Sequence, residues 1–193
     1  VEFYEKCTKW EELWECVKFD RRQAQPVGDQ KIFRWFEKNL RQGRRQRAKE
    51  NTEMPKAFLC DLDGTLAHHT GRDPFDYSRV GEDEVDESVL DVIKALWVSD
   101  DDYEIIFISA RPEESRKVTK DWLKKAGAFP QWPLLMRRSG DCRSDAIVKR
   151  ELFEEHIEGK YRVMGIFEDR PAVVQMWREL GVRVFDVGWG VDF

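Results

Sequence analysis

The chain has 193 residues, enough for one domain or one domain with an appendage, and its 41% hydrophobic content with eight Trp carries far more apolar surface than a disordered polyampholyte. No apolar run approaches the roughly 18–20 residues of a bilayer span, and the start at Val1-Glu2-Phe3 has neither a basic, apolar leader nor a Met, so it reads as a processed terminus or a fragment. The net charge of −5 argues against a polyanionic partner only if it is evenly spread, and it is not: residues 1–50 hold 13 Lys and Arg against 9 Asp and Glu, the rest 20 against 29.

Residues 1–55 read as a helical segment and basic linker. Trp10, Leu13, Trp14 and Val17 recur at spacings of three and four, and Ile32, Phe33, Trp35, Phe36 and Leu40 form a second cluster beyond a break at Pro26-Val27-Gly28. A basic run, residues 41–49, follows. Residues 56–193 read as a second unit of short buried strands alternating with helices. Strands are expected at 57–60, 103–108, 134–136, 161–167 and 182–187, and helices at 88–98, 113–126, 144–156 and 171–180. Pro171 opens the last helix and Gly181 follows it, as helix termini favour. This alternation predicts an α/β, Rossmann-like, doubly wound and mostly parallel five-stranded sheet with helices on both faces. Four scattered cysteines without a C-x-x-C pair point to a reducing, cytoplasmic setting and to no zinc site.

In such a sheet the ligand crevice lies beyond the carboxyl ends of the strands. The first strand ends in Asp61-Leu62-Asp63-Gly64-Thr65, whose two carboxylates point to one side of the extended chain. Like charges held that close call for a cation or a shared proton, and a hard divalent ion such as Mg²⁺ takes oxygen ligands. The second strand ends in Ser109-Ala110-Arg111, the fourth in Glu168-Asp169-Arg170. Lys149 follows Asp145 by four residues on the third helix, so both are expected to reach the crevice from one helical face.

Asp61-x-Asp63-Gly-Thr, Ser109, Lys149 and Glu168-Asp169 together resemble the four motifs of the haloacid dehalogenase superfamily of phosphotransferases. Gly71-Arg72-x-Pro74-x-Asp76, Gly140-Asp141-Cys-Arg143-Ser-Asp145 and Asp169-Arg170-Pro-Ala-Val-Val-Gln-Met176-Trp177 are similar, more narrowly, to the 3′-phosphatase domain of bacteriophage-type polynucleotide kinase-phosphatases. The resemblance implies a nucleophile at Asp61, a general acid and base at Asp63, and phosphoryl-oxygen binding by Ser109 and Lys149. It further implies Mg²⁺ held by the Asp61 and Asp169 carboxylates and the Asp63 backbone carbonyl, with Glu168 a ligand either directly or through water. Arg72 and Arg111 would be required for activity, and Asp145 would orient Lys149. Arg137, Arg138 and Arg143 are candidates for local positive potential toward a polynucleotide.

The implied reaction is removal of a 3′-phosphate from RNA or DNA ends in the cytoplasm, a host's if the source is a phage, with no membrane partner. The interval 66–102 is too short for a cap domain, so an open crevice suited to a polymer end is expected. Residues 15–28 resemble the end of a P-loop kinase domain, which would make the first segment the remnant of an upstream kinase. No Gly-x-x-x-x-Gly-Lys-[Ser/Thr] occurs in the chain, so kinase activity is not expected of it. Two competing readings are the same chemistry on a nucleotide, sugar phosphate or phosphoprotein, and a non-catalytic nucleic-acid-binding domain that keeps the fold.

Overall fold

The structure is a computed structural model that describes residues 54–99 and 101–188. The two helices read at the N-terminus and the basic run 41–49 lie outside those residues. Among the described residues no helix is long and apolar enough to cross a membrane.

Five parallel strands form one sheet: β1 (Lys56–Cys60), β4 (Glu104–Pro112), β5 (Leu134–Arg137), β6 (Arg162–Glu168) and β7 (Val184–Asp186), in the order β5-β4-β1-β6-β7. The chain winds outward from β1 through β4 to β5, then crosses back to β6 and β7. That reversal makes β1 the switch point, with its carboxyl end opening the crevice. Helices α1 (Glu87–Val98) and α2 (Arg116–Lys125) connect the first half, α3 (Asp145–His156) and α4 (Pro171–Glu179) the second.

Strand alternation divides the core. Ala57, Leu59, Ile106, Ile108 and Ile166 meet Val148, Leu152 and Phe153 of α3 and Val173, Met176 and Trp177 of α4. Phe107 points to the other face, against Trp132, which packs on Phe129 and on Trp97 of α1 at ring centroid distances of 5.1 and 5.9 Å. Both strand faces being covered explains why β1 and β4 read as continuous apolar runs rather than alternating ones.

The boundaries differ from the expected ones where side chains override pattern. β4 continues to Pro112, beyond the apolar run, because Arg111 is buried there by ion pairs. The 113–126 helix opens as a 3-10 turn, Glu113–Ser115, and is α-helical only from Arg116. Between β1 and α1 lies a two-stranded ladder, β2 (Ala67–His68) and β3 (Glu84–Val85), with a 3-10 helix at Tyr77–Glu82, where the sequence suggested only loop. Two-residue strands carry no periodicity to read. No separately folded cap occupies this interval.

Candidate active site

Asp61 follows β1 and is buried, its N–H donating to the Phe167 carbonyl at 3.0 Å so that the β1–β6 pairing carries one residue past the strand. Lys149, buried on α3, places its Nζ 2.7 Å from Asp61 Oδ1 and 2.7 Å from Glu168 Oε2. Glu168 is fully buried at the end of β6; its Oε2 also accepts from the Trp177 indole at 3.3 Å, and its Oε1 from the Asp169 and Arg170 N–H groups. Thr65 Oγ1 donates to Asp169 Oδ1 at 3.0 Å. Gly64 turns the chain away with a φ of 86°, and a Cβ there would stand 2.0 Å from Asp169 Oδ2. The Gly of Asp-x-Asp-Gly is thus required twice, by conformation and by the carboxylate that leans over it.

Burial and the facing Glu168 push the Asp61 carboxyl well above the ordinary range, against the pull of Lys149. Asp169 is raised by the same two causes. Burial alone would lower Lys149, but Asp61 and Glu168 outweigh it and keep the ammonium charged. Ligand oxygens of Asp61, Glu168 and Asp169 lie within 4.8 Å of one another. Three carboxylates facing one ammonium leave negative charge uncompensated in a buried, all-oxygen site, which fits a hard divalent cation such as Mg²⁺.

Asp63 stands in a different environment. Its Oδ1 accepts from Arg111 at 2.8 Å and Arg72 at 3.1 Å, and its Oδ2 from Arg111 Nε at 2.7 Å. Both guanidiniums also grip Asp83, from Arg72 Nε at 2.6 Å and Arg111 at 2.8 Å. Two arginines and two aspartates close a ring, and the Arg111 plane lies over Trp122, whose indole donates to the Asp83 carbonyl. Burial would raise the Asp63 carboxyl, but Arg111 and then Arg72 overcome it and hold it below the ordinary range. A register shift in β4 between Ser109 and Pro112 leaves Ala110 and Arg111 out of the ladder. That bulge turns Arg111 inward, and the freed Ala110 carbonyl is taken by Arg137 Nε at 2.7 Å. Ser109, fully buried, accepts from the Arg111 N–H at 3.1 Å.

Sequence reasoning missed Asp83. It lies in the acidic stretch Gly81-Glu-Asp-Glu-Val-Asp86, where nothing local separates it from its exposed neighbours. Asp83→Ala is expected to cost about 3–5 kcal/mol of stability, because two buried guanidiniums would then share the single, partly exposed Asp63. Urea unfolding measures this; a loss under about 1 kcal/mol would show that the ring does not depend on Asp83.

The third cluster corrects an expectation. Asp145 does not orient Lys149: it begins α3, where its Oδ1 accepts from Arg137 at 2.5 Å and its Oδ2 from Arg170, while Lys149 one turn on is held by Asp61 and Glu168. Arg137 and Arg170 close on this carboxylate from the ends of β5 and β6 because both strands deliver their residues to the same edge. Arg138 and Arg143 sit farther out in exposed ion pairs, with Glu155 and with Asp141 and Glu151. Burial first, then Asp63 and Asp145, raise the Tyr77 hydroxyl.

The chain is similar to several known proteins. The family model for the polynucleotide kinase PNKP phosphatase domain matches residues 55–193. A relative from Autographa californica nuclear polyhedrosis virus, named "Putative bifunctional polynucleotide kinase/RNA ligase", is 39% identical over 137 residues, which are 70% of this chain and 20% of the relative. Two solved structures of the Pnkp1/Rnl/Hen1 RNA repair complex contain a chain 41% identical to this one, with TM-scores of 0.68 and 0.69, covering 74% of this chain and 45% and 49% of theirs. The chain therefore spans a fifth of the viral relative and under half of the solved chains.

Proposed function

The chain belongs to the family of polynucleotide kinase phosphatase domains, of haloacid dehalogenase type, and from that premise we propose that it removes terminal 3′-phosphate from RNA or DNA ends, with Mg²⁺, through an aspartyl-phosphate. The observation that carries this reading is the division of labour at the end of β1: Asp61 faces a buried ammonium, Asp63 two guanidiniums. Arg111 and Arg72 hold Asp63 ionised, the form a base needs, while burial and Glu168 disfavour the Asp61 carboxylate that a nucleophile needs, so a cation beside Asp61 would favour its reactive form.

In the first half-reaction an Asp61 oxygen attacks phosphorus, and the bond to the 3′-oxygen breaks as that oxygen takes a proton from Asp63. In the second, Asp63 takes a proton from water, the water oxygen attacks phosphorus, and the bond to Asp61 breaks to release phosphate. Arg72 and Arg111 hold Asp63 in place and favour its ionised, base form; the arriving phosphate brings negative charge that favours the acid form. Lys149 and the Ser109 hydroxyl would neutralise and bind the phosphoryl oxygens, which is most of what a loose phosphoryl-transfer transition state asks of a protein. Mg²⁺, held by Asp61 and Asp169, would supply Lewis-acid stabilisation of a phosphoryl oxygen. Glu168 already accepts four donors, which supports contact with the cation through water rather than directly.

Among the described residues no cap folds over the crevice between Leu66 and Asp102, and Arg137 and Arg170 stand at its edge, where a polymer's phosphates would pass. Release of phosphate from 3′-phosphorylated RNA and DNA oligonucleotides tests the reading. Hydrolysis is expected to require Mg²⁺ and to cease with chelator. Independently of turnover, Mg²⁺ at 100 times its dissociation constant should raise Tm by roughly 5–10 °C. Hydrolysis of mononucleotides or sugar phosphates with no release from either oligonucleotide would overturn the substrate assignment.

A further inference from the structure

Arg72 does more than hold Asp63. Its NH1 donates to the Asp73 and Pro74 carbonyls at 3.1 and 3.0 Å while its NH2 reaches Asp63. The Phe75 N–H donates to Asp73 Oδ1 at 2.8 Å, and the backbone closes again through Asp76 N–H to the Asp73 carbonyl at 3.0 Å. The result is a tight, heavily braced turn with Phe75 at its tip, 79% exposed, the most exposed large hydrophobic side chain among the described residues.

Turn tips normally take small polar residues, and single exposed hydrophobics need no explanation where they fall on loose surface. This one falls at the crevice. The Pro74 carbonyl and Asp63 share one guanidinium, which puts the Phe75 backbone within roughly 10 Å of the general acid. Two residues on, Tyr77 is close enough to Asp63 and Asp145 for their charges to act on its hydroxyl. The turn's own acids are spent locally, Asp73 on the Phe75 N–H and Asp76 on Ser78, so neither is turned toward a phosphate.

We propose that Phe75 is a stacking platform for the nucleobase of the nucleotide that carries the terminal phosphate, an inference that rests on the polynucleotide reading above. With Asp61 and Lys149 taking the phosphate and Arg137 and Arg170 at the crevice edge, an aromatic face on a rigid turn beside Asp63 supplies the apolar contact those charged groups lack. Every base has a π-face, so such a platform would grip RNA and DNA ends without choosing among sequences.

Steady-state kinetics of Phe75→Ala and Phe75→Trp on three substrates test it: a 3′-phosphorylated oligonucleotide, the same oligonucleotide with an abasic terminal nucleotide, and an aryl phosphate. Phe75→Ala is expected to raise KM for the intact oligonucleotide about tenfold with kcat within twofold, and Phe75→Trp to restore it. The abasic substrate should bind the wild-type enzyme about as weakly as the intact one binds Phe75→Ala, with no further loss in the variant. The aryl phosphate kcat should be unchanged, which places the loss in binding rather than in chemistry. Equal effects of Phe75→Ala on intact and abasic ends, including no effect on either, would overturn the stacking role while leaving the phosphatase reading in place. Failure of the wild-type enzyme on every oligonucleotide would overturn both.

Discussion

Asp61→Asn is expected to abolish turnover of oligonucleotide and aryl phosphate alike, by at least about 10⁴-fold, while the protein stays folded. Asn has the shape of Asp, but its amide cannot form the acyl phosphate. Lys149 is held by Glu168 at 2.7 Å and is buried on α3. As a charged ammonium, it is no nucleophile. Stability should not suffer. Burial and Glu168 both oppose ionisation of Asp61, so removing its charge relieves a repulsion that Lys149 offsets only in part. Steady-state assays paired with urea unfolding check both halves. Turnover within tenfold of wild type would remove Asp61 from the chemistry, and a collapse of stability would mean the lost activity says nothing about it.

The sheet was legible because its strands are covered on both faces: Phe58 to Cys60 and Ile105 to Ile108 are unbroken apolar runs, and each gives way to polar residues at one end. That end is where a doubly wound sheet opens its crevice, which is why Asp61, Asp63, Ser109 and Glu168-Asp169 read as one site from the sequence. Long-range closure was not legible. Asp83 joins the arginine ring only because the Tyr77–Glu82 helix carries the chain back against α2, and no spacing rule connects Asp63 with Asp83. Helical spacing misled for Asp145 and Lys149. Four residues apart, they do share a face, but Asp145 stands at the helix start among arginines and Lys149 one turn deeper among carboxylates. Shared faces establish proximity, and the counter-charges within reach decide partnership.

The arginine ring bears directly on the second large effect, which separates the two half-reactions. Asp63→Asn is expected to lower oligonucleotide turnover by about 10⁴-fold or more, since in the proposed mechanism one carboxyl serves both as acid and as base and each role is worth about 10²–10⁴-fold. The fold should persist, because Arg72 and Arg111 keep Asp83 and the Asn carbonyl oxygen can still accept from Arg111. An aryl phosphate then isolates the step that fails. Its oxygen departs as a stabilised anion and needs no proton, so Asp61 can still be phosphorylated, but water attacks slowly without a base. Asp63→Asn should therefore release one equivalent of phenol per enzyme in a rapid burst and then nearly stop, while an oligonucleotide, whose 3′-oxygen must be protonated to leave, gives no burst. Asp61→Asn gives neither. A variant at Asp63 that turned over the aryl phosphate continuously at wild-type rate would place the base for the second step elsewhere. The crevice offers few candidates, because the carboxylates of Glu168 and Asp145 are already saturated by Lys149, Trp177 and the two outer arginines.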